Sequence, residues 1–199
     1  AGGTGHLGRN IEKELILKGY KVIILTRNPT KENHVFWSPA ENKIDTEKLS
    51  EVEIIINLAG ENIGAKKWSN ERIKALFLSR INPAVILYEN RTCFPKLKQY
   101  ISASGVNCYG YDSLTKIYEE TDVYGKDTLS QIVEKWEEAA DLFLDKYIVT
   151  KMRTAVVLDS KDGAFQKIAQ PIKMGIGSPL GSGEQYISWV HINDLVASY

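Results

Sequence analysis

The sequence has little cysteine, no net charge and no long apolar run. Its 2 cysteines, Cys93 and Cys108, lack Cys-x-x-Cys spacing, so neither a metal-binding knuckle nor a disulfide framework is expected. Lysine plus arginine and aspartate plus glutamate each number 25, so no overall field attracts nucleic acid or an acidic membrane. No apolar run approaches the roughly 18 to 20 residues that span a bilayer, and no signal peptide is recognisable. We therefore expect a soluble, cytoplasmic protein that binds neither nucleic acid nor membranes.

The hydrophobic content is sufficient for a globular core. Hydrophobic residues make up 43% of the 199 residues, which suits one domain, or one domain and part of another. A nucleotide-binding glycine loop normally follows a buried strand, yet only Ala1 precedes the loop here. A helix-like segment at 196–199 also stops without a cap. We therefore expect a fragment in which the first strand is cut.

The segment GGTGHLG at residues 2–8 combines closely spaced glycines with the start of a helix. A helical pattern runs from Ile11 to Lys18, and the apolar run at 22–25 is typical of a buried parallel strand. Glycines at this spacing permit a tight turn and let phosphate approach the backbone, while the helix N-terminus offers unpaired N–H groups. An ordinary glycine-rich turn is the alternative. The helix and strand that follow favour a loop that binds a dinucleotide pyrophosphate.

Arg27 stands where a sequence distinguishes the two nicotinamide cofactors. About 20 residues after the glycine loop, an acidic residue binds the ribose 2′-hydroxyl of NAD, whereas an arginine accommodates the 2′-phosphate of NADP. No carboxylate stands at Thr26, Asn28 or Pro29. A guanidinium binds phosphate through two parallel hydrogen bonds, although Arg27 alternatively solvates a turn. The sequence predicts NADP(H) as the cofactor.

Strand patterns alternate with helical patterns along the rest of the chain. Strands are predicted at 34–37, 53–60, 98–105 and 147–158, and helices at 45–49, 70–81 and 128–144. From Gly163 onward glycine and proline are frequent, which indicates a loop-rich region. We therefore predict an α/β fold with a Rossmann doubly wound parallel sheet in residues 1–158. Residues 159–199 are predicted to begin a small substrate-binding lobe.

Small and polar residues end two of the predicted strands, where the carboxyl edge of a parallel sheet meets a cofactor. One strand ends in Asn57, Ala59 and Gly60, and the next along the chain ends in Ser102 and Ser104. The residues predicted to bind the cofactor are Gly2, Thr4, Gly5, His6, Leu7, Gly8, Arg27, Asn57, Ala59, Gly60, Glu61 and Ser102.

Arg72 and Arg80 interrupt the apolar face of the helix predicted from residue 70. Charged residues on a helix usually form a solvated face, which is the expectation here. Contact with phosphate or an acidic substrate is the alternative role of these two side chains.

Further motifs lie along the chain: NLAGENI at 57–63, a helix from KWS to SRI at 67–81, ISAS at 101–104, RT at 153–154, and LGSG to SWVH at 180–191. Together with the glycine loop they resemble the extended short-chain dehydrogenase/reductase superfamily, and within it the atypical, NAD-dependent epimerase/dehydratase-like "epimerase family" subgroup. The resemblance spans nearly the whole chain. It implies NADP(H) on a Rossmann sheet, a C-terminal substrate lobe and a small-molecule substrate.

The usual catalytic pair of that superfamily is absent from its expected position. Typical members carry Tyr-x-x-x-Lys on the helix after the serine strand, where the pair moves the substrate proton during hydride transfer. Counted from Glu137, the pair falls at Leu129 and Val133, and neither side chain moves a proton. The superfamily serine corresponds to Ser104. Tyr109 is the second candidate catalytic residue, with packing in a turn as its alternative role.

Several other residues are of types that often have a functional role, but we expect a structural role for each of them. Tyr147 and Lys151 match Tyr-x-x-x-Lys, but in a strand their side chains would be separated by ~13 Å. Cys108 is expected to be a small buried hydrophobic residue and His191 an interior histidine. For His6, packing where relatives place an apolar residue is favoured over contact with phosphate.

Two functions from different classes follow. The first is an NADP(H)-dependent oxidoreductase or epimerase-like enzyme that uses Ser104 and a non-standard proton donor. The second is a dinucleotide-sensing regulatory protein that has lost the chemistry, as Leu129 and Val133 indicate. A strict sugar-nucleotide epimerase is a weaker third option, because such enzymes keep both the tyrosine and the lysine. The sequence is compatible with a homodimer.

Overall fold

Strands and helices alternate along the chain. The structure is a computed structural model that describes residues 1–111, 116–160, 163–179 and 181–199. Its elements in chain order are α1 (His6–Leu17), β1 (Ile24–Thr26), β2 (His34–Ser38), β3 (Lys43–Ile44), β4 (Ile54–Asn57), α2 (Asn70–Glu89), β5 (Gln99–Gly105), α3 (Thr128–Asp141), β6 (Ile148–Thr154), β7 (Val156–Leu158), α4 (Ala164–Lys173), β8 (Trp189–His191) and α5 (Ile192–Ser198). None of the helices in these ranges is long and apolar enough to cross a membrane.

The strands are mostly parallel. Strands β4, β5 and β6 form a parallel sheet in that order, and β1 pairs in parallel with β2, to which the short β3 is antiparallel. Ala1 lies beside β4: its amino group donates to the carbonyl of Ile56 at 2.7 Å, and its carbonyl accepts from the amide of Leu58 at 3.0 Å. This parallel α/β arrangement confirms the predicted Rossmann-type fold.

Helices α2 and α3 pack together, and α3 also packs on β5 and β6. Their shared core includes Tyr100 of β5, whose ring stacks on Phe143 with centroids 3.9 Å apart. The Asn57 side chain donates to the Tyr100 hydroxyl at 2.8 Å, so the buried phenol keeps a partner. Burial raises the pKa of Tyr100 well above its usual value. This core holds the carboxyl ends of β4 and β5 next to each other.

One predicted helix is wrong, and the region predicted to be loop-rich also contains a helix. Residues 45–49 form no helix, because the Asp45 side chain accepts a hydrogen bond from the Glu47 amide at 3.2 Å and competes with the helical pattern. Residues from Gly163 onward contain α4 rather than only loop. Phe165, Ile168 and Ile172 recur at helical spacing there, a signal that the glycine and proline content masked.

The predicted strand at 147–158 is divided in two. It breaks at Ala155 into β6, which pairs with β5, and β7, which pairs in parallel with β8. Helix α5 packs against α1 and β7. The domain boundary that the sequence predicts after residue 158 therefore separates β7 from its partner strand.

Candidate cofactor and catalytic site

The glycine loop packs tightly on itself and on the end of β4. Gly2 has a φ of +75°, and a Cβ there would lie 2.8 Å from the Leu58 carbonyl carbon. A Cβ on Gly8 would lie 2.5 Å from the Gly3 Cα. Gly5, the N-cap of α1, makes no side-chain capping hydrogen bond. The loop therefore needs its glycines, and it presents a helix N-terminus of the kind that binds anions.

The other predicted residues of this loop differ in exposure. Thr4 is exposed, and its carbonyl accepts a hydrogen bond from the Arg9 guanidinium at 2.7 Å. Leu7 is half-buried. His6 is the first residue of α1, and its Nε2 lies 2.7 Å from a carboxylate oxygen of Asp159, a residue to which the sequence assigned no role.

Arg27 directly follows β1 and is exposed. Within the described ranges its guanidinium has no hydrogen-bond or ion-pair partner, so the side chain is available to a ligand. The neighbouring Thr26 hydroxyl accepts from the Asn28 amide at 3.3 Å, which turns the chain at this point. This placement fits the predicted contact with a 2′-phosphate.

The end of β4 offers a cofactor the small residues Ala59 and Gly60 rather than the side chain of Asn57. The Asn57 side chain is buried: its amide nitrogen donates to Tyr100, and its oxygen accepts from the Ala59 amide at 3.1 Å. Asn57 therefore supports the turn from below. Ala59 and Gly60 are the residues on the path of the chain out of the strand. Ser102 of β5 is likewise buried, and its hydroxyl donates to the Ala103 carbonyl at 3.0 Å.

Arg72 and Arg80 are not on a solvated face, and that prediction was wrong. Both are 8% exposed and reach back to the loop after β4. Arg72 pairs with the carboxylate of Glu61 and donates to the carbonyl of Asn62, while Arg80 donates to the carbonyl of Glu61 at 3.0 Å. A Cβ on Gly60 would lie 3.3 Å from the Arg80 guanidinium carbon. The two arginines hold the loop at the carboxyl edge of the sheet.

The electrostatics of Arg80 follow from its burial. Its guanidinium lies 5.0 Å from the ring centroid of Trp136, and its hydrogen bonds go to carbonyl and hydroxyl oxygens. Burial, followed by the like charge of Arg72, lowers the pKa of Arg80 to about 10. Arg80 thus keeps its positive charge at neutral pH, and uncharged hydrogen-bond acceptors and the face of an aromatic ring stabilise that charge.

A polar cluster, here called the Glu137 cluster, comprises Ser104, Tyr109, Tyr124, Glu137 and Arg153. The Ser104 hydroxyl donates to Glu137, and Arg153 donates to both Glu137 oxygens from Nε and Nη2 at 2.9 Å each. Arg153 also donates to the Tyr109 hydroxyl at 2.8 Å. The two predicted catalytic residues, Ser104 and Tyr109, are therefore joined through two residues to which the sequence assigned no catalytic role.

The ionisation states within the Glu137 cluster are complementary. Burial opposes the charge on Glu137, which is 1% exposed, but hydrogen bonds from Arg153, Ser104 and Tyr124 outweigh it and lower the pKa of Glu137. The hydrogen bond to Glu137 raises the pKa of Arg153. Burial, with the hydrogen bond to Glu137, raises the pKa of Tyr124 to about 12. At neutral pH the cluster holds a carboxylate, a guanidinium and a neutral Tyr124 phenol.

Part of the Glu137 cluster faces a cleft of about 850 Å³. Tyr109, Tyr124, Glu137 and Arg153 line it, whereas Ser104 is buried behind Glu137. The Tyr109 hydroxyl donates to the carbonyl of Glu119 at 2.9 Å. The cleft therefore presents two phenols backed by a guanidinium.

The positions expected for the usual catalytic pair are apolar and buried. Leu129 is 8% and Val133 4% exposed, both on the inner face of α3. Lys151 lies on β6 with its Nζ 2.7 Å from Asp141, and Tyr147 packs near Phe143. Glu137 could have been noticed in the sequence, because it is a charged residue on the apolar face that carries Leu129 and Val133.

In the described ranges, no group of three or more histidine, cysteine, aspartate or glutamate side chains is arranged to hold a metal ion. Cys93 and Cys108 are free thiols.

A parallel sheet, a glycine loop at the first helix and an exposed arginine after the next strand define a dinucleotide-binding protein of the Rossmann type. The chain belongs to the NAD dependent epimerase/dehydratase family, whose model matches residues 1–199. The resemblance seen in the sequence is therefore confirmed.

Similar proteins support this family assignment. Epimerase family protein SDR39U1 of Mus musculus is 34% identical over 199 residues, covering 98% of this chain and 66% of the mouse protein. The crystal structure of human epimerase family protein SDR39U1 (isoform 2) with NADPH has a TM-score of 0.86 and 32% identity, covering 98% of this chain and 65% of the human one. The chain thus spans just under two thirds of the length of these relatives.

A second solved structure is a nucleoside-diphosphate sugar epimerase from Corynebacterium glutamicum. It has a TM-score of 0.86 at 28% identity, and the match covers 100% of this chain and 41% of that one.

Proposed function

We propose that the protein binds NADP(H) and acts as an atypical oxidoreductase or epimerase-like enzyme on a small molecule. The observation that carries the proposal is the glycine loop followed by the exposed Arg27. A loop that tolerates no Cβ at Gly2 or Gly8 fits a backbone that closely approaches pyrophosphate. The human relative, crystallised with NADPH at 32% identity, supports the choice of cofactor.

In this proposal each predicted cofactor residue has a definite task. The backbone of residues 2–8 holds the pyrophosphate, and Arg27 binds the 2′-phosphate. Ala59, Gly60 and Glu61 border the nicotinamide side of the site, where Arg72 and Arg80 keep the loop in place. The bound cofactor supplies or accepts a hydride. Asn57 and Ser102 act indirectly, by supporting the strand ends.

The chain must then handle a proton without the usual pair. We infer that the Tyr109 hydroxyl becomes the proton donor when the substrate replaces the Glu119 carbonyl as its acceptor. Arg153 lies 2.8 Å from the Tyr109 oxygen and stabilises the negative charge that develops as the proton leaves.

Glu137 orients Arg153 through two hydrogen bonds. Ser104 donates to the Glu137 oxygen that also accepts from the Arg153 Nε, and it is a positioning residue. Tyr124 donates to Glu137 at 2.8 Å and stays protonated.

A cofactor-sensing protein without turnover is the second candidate function. The apolar, buried Leu129 and Val133 favour it, because they replace the two groups on which the superfamily's proton transfer depends. In that case the Glu137 cluster is a structural network that stabilises the packing of α3 on β5 and β6.

Calorimetric titration of the purified chain with NADPH and NADH tests cofactor binding. We expect NADPH to bind with a Kd on the order of 10 µM or tighter, and NADH more weakly. Failure of NADPH to bind at tens of micromolar would contradict the proposal.

Turnover is tested first with NADP+ and nucleoside-diphosphate sugars, the class that the Corynebacterium glutamicum protein's name indicates, by analysis of the sugar products, and then with NADPH and carbonyl compounds by following NADPH absorbance. Conversion that is lost in Tyr109→Phe supports the enzyme. Tight binding without turnover of any of these compounds supports the sensing function.

A further inference from the structure

Two buried arginines share one carboxylate behind the loop that follows β4. Arg72 pairs with the Glu61 carboxylate. Arg80 instead donates to backbone carbonyls and to a serine hydroxyl. Both arginines are 8% exposed, whereas the Glu61 side chain is 51% exposed. Within the described ranges, one of the two buried positive charges therefore has no carboxylate of its own.

Hydrogen-bond donors without acceptors lie in the same region. In the part of the chain that the structure describes, the buried Nε of Arg72 and the buried Nε1 of Trp136 have no acceptor. The Trp136 ring centroid is 5.0 Å from the Arg80 guanidinium carbon. Burial, followed by the like charge of Arg72, lowers the pKa of Arg80 to about 10. Because buried donors normally have a partner, this excess of donors and of positive charge indicates a place where an anion binds.

The surrounding sequence is also positive. Residues 60–80 contain three lysines and two arginines against two glutamates, although the whole chain has a formal net charge of +0. A local excess of one sign of charge attracts ligands of the opposite sign. The loop after β4 and the first half of α2 thus favour an anionic ligand.

We propose that Arg72 and Arg80 form a subsite for a carboxylate group of the substrate, which takes the place of the Glu61 carboxylate at Arg72. The inference rests on the proposed function and names its class of substrate: a small carbonyl compound, or the corresponding alcohol, that also carries a carboxylate. The pairing with Glu61 shows that a carboxylate fits the Arg72 guanidinium, and the exposed glutamate can turn into water at little cost.

A phosphate suits this subsite less well than a carboxylate. The carbonyl oxygens of Asn62 and Glu61 already accept hydrogen bonds from the two guanidinium groups. They would repel the second negative charge of a phosphate more strongly than the single charge of a carboxylate.

The subsite lies close to the Glu137 cluster. Strands β4 and β5 are parallel neighbours, with Asn57 opposite Ser102. Gly60, against which Arg80 packs, and Ser104 follow these two residues at the same edge, on strands about 4.8 Å apart. A small substrate can therefore place its carboxylate at the arginines and its carbonyl group toward the Glu137 cluster.

Nuclear magnetic resonance tests the subsite directly, because the chain contains only 6 arginines. We would record the arginine Nε–H signals during titration with malonate, and with uncharged malonamide, in the presence of saturating NADPH. Malonate should shift the Arg72 signal, and malonamide should not. Arg91, which stacks on Tyr88 and donates to its carbonyl, is the internal control and should not shift with either compound.

Calorimetric titration of variants with malonate gives a second readout. Glu61→Gln removes the internal competitor and should bind malonate about tenfold more tightly, whereas Arg72→Gln should bind it at least tenfold more weakly. Glu71→Gln and Lys74→Gln make the same changes of charge at exposed positions of α2 and should alter the affinity less than twofold. Glu61→Gln changes an exposed side chain, so it tests the subsite even if Arg72→Gln does not fold.

The outcomes separate the inference from the function on which it rests. If NADPH does not bind, the proposed function fails and the inference fails with it. If NADPH binds but displaces malonate, the arginines belong to the cofactor site and only the inference is refuted. Malonate affinity that is unchanged or lower in Glu61→Gln would overturn it, as would inorganic phosphate binding more tightly than malonate.

Discussion

Arg153 of β6 approaches Glu137 of α3 side-on, with two hydrogen bonds of 2.9 Å from Nε and Nη2 to the two carboxylate oxygens. The pair joins the third strand of the central sheet to the helix packed on it. Ser104 and Tyr124 occupy the remaining acceptor positions of the carboxylate. Glu137 is thus a buried charge with four hydrogen bonds, which is the condition under which such a charge is tolerated.

Replacing Arg153 by methionine should lower the free energy of unfolding by about 2 to 4 kcal/mol at pH 7, because Glu137 is left buried without its cation. The folded-state pKa of Glu137 is depressed, so its stabilising contribution exists above the ordinary glutamate range and is lost as pH falls below it. The cost of Arg153→Met should therefore shrink between pH 5 and 3. Urea unfolding measures both values.

Lys135→Met is the matched control for this variant. Lys135 pairs with Glu138 on the same helix, with both side chains 51% exposed, so its loss should leave the free energy of unfolding nearly unchanged. Equal stability of the two variants at pH 7 would show that the Glu137 cluster contributes little.

Asp127 caps α3, and its removal should destabilise the fold. Its carboxylate accepts from the amides of Leu129 and Ser130 at 2.9 and 3.1 Å, and from the Ser130 hydroxyl at 2.6 Å. Asp127→Ala should cost about 1 to 2 kcal/mol in thermal or urea unfolding. Asp127→Asn keeps an acceptor oxygen and should retain most of that stability. An asparagine variant as unstable as the alanine variant would argue against the capping role.

Gly8→Ala should weaken cofactor binding and stability together. The new Cβ would meet the backbone of Gly3 and Gly2 at 2.5 and 2.6 Å, which forces the loop apart. We expect a loss of about 1 to 3 kcal/mol in stability and at least a tenfold weaker NADPH affinity. Gly64→Ala, whose Cβ comes no closer than 3.6 Å to a neighbour, is the control and should change neither. Calorimetric titration with NADPH and urea unfolding of both variants measure the two effects.

Arg27→Ala should distinguish the two cofactors. Loss of a charged donor to the 2′-phosphate should weaken NADPH binding by about 1 to 3 kcal/mol and leave NADH binding nearly unchanged. Lys13→Ala removes the same charge from an exposed position on α1 and should affect neither cofactor. Equal losses for NADPH and NADH in Arg27→Ala would refute the assignment.

Local patterns accounted for much of the fold. The glycine loop, the strand at 54–57, which lies within the predicted 53–60, and the amphipathic α3 appear where the spacing of apolar residues and glycines predicts them. They were readable because periodicity and turn chemistry act over a few residues. The helix predicted at 45–49 failed for the same local reason, since one aspartate side chain competes with the backbone for hydrogen bonds.

The candidate site was readable only in part. The sequence identifies Ser104 and Tyr109 as strand-end and turn residues. Their connection through Glu137 and Arg153, however, spans β5, α3 and β6. Arg80 looked like a surface charge, because nothing near it in the sequence indicates that the loop after β4 folds over it. Contacts between distant residues depend on the packing of elements, which residue spacing does not encode.

The sequence by itself determined the class of fold, the glycine loop and the position of Arg27, since each depends on neighbouring residues and on the steric freedom of glycine. Only the tertiary structure decided that Arg72 and Arg80 are buried, that Glu137 joins Ser104 to Arg153, and that His6 meets Asp159. The physical reason is that burial and pairing of charges arise only when α2 packs on the loop after β4, α3 packs on β5 and β6, and the start of α1 meets the residue after β7.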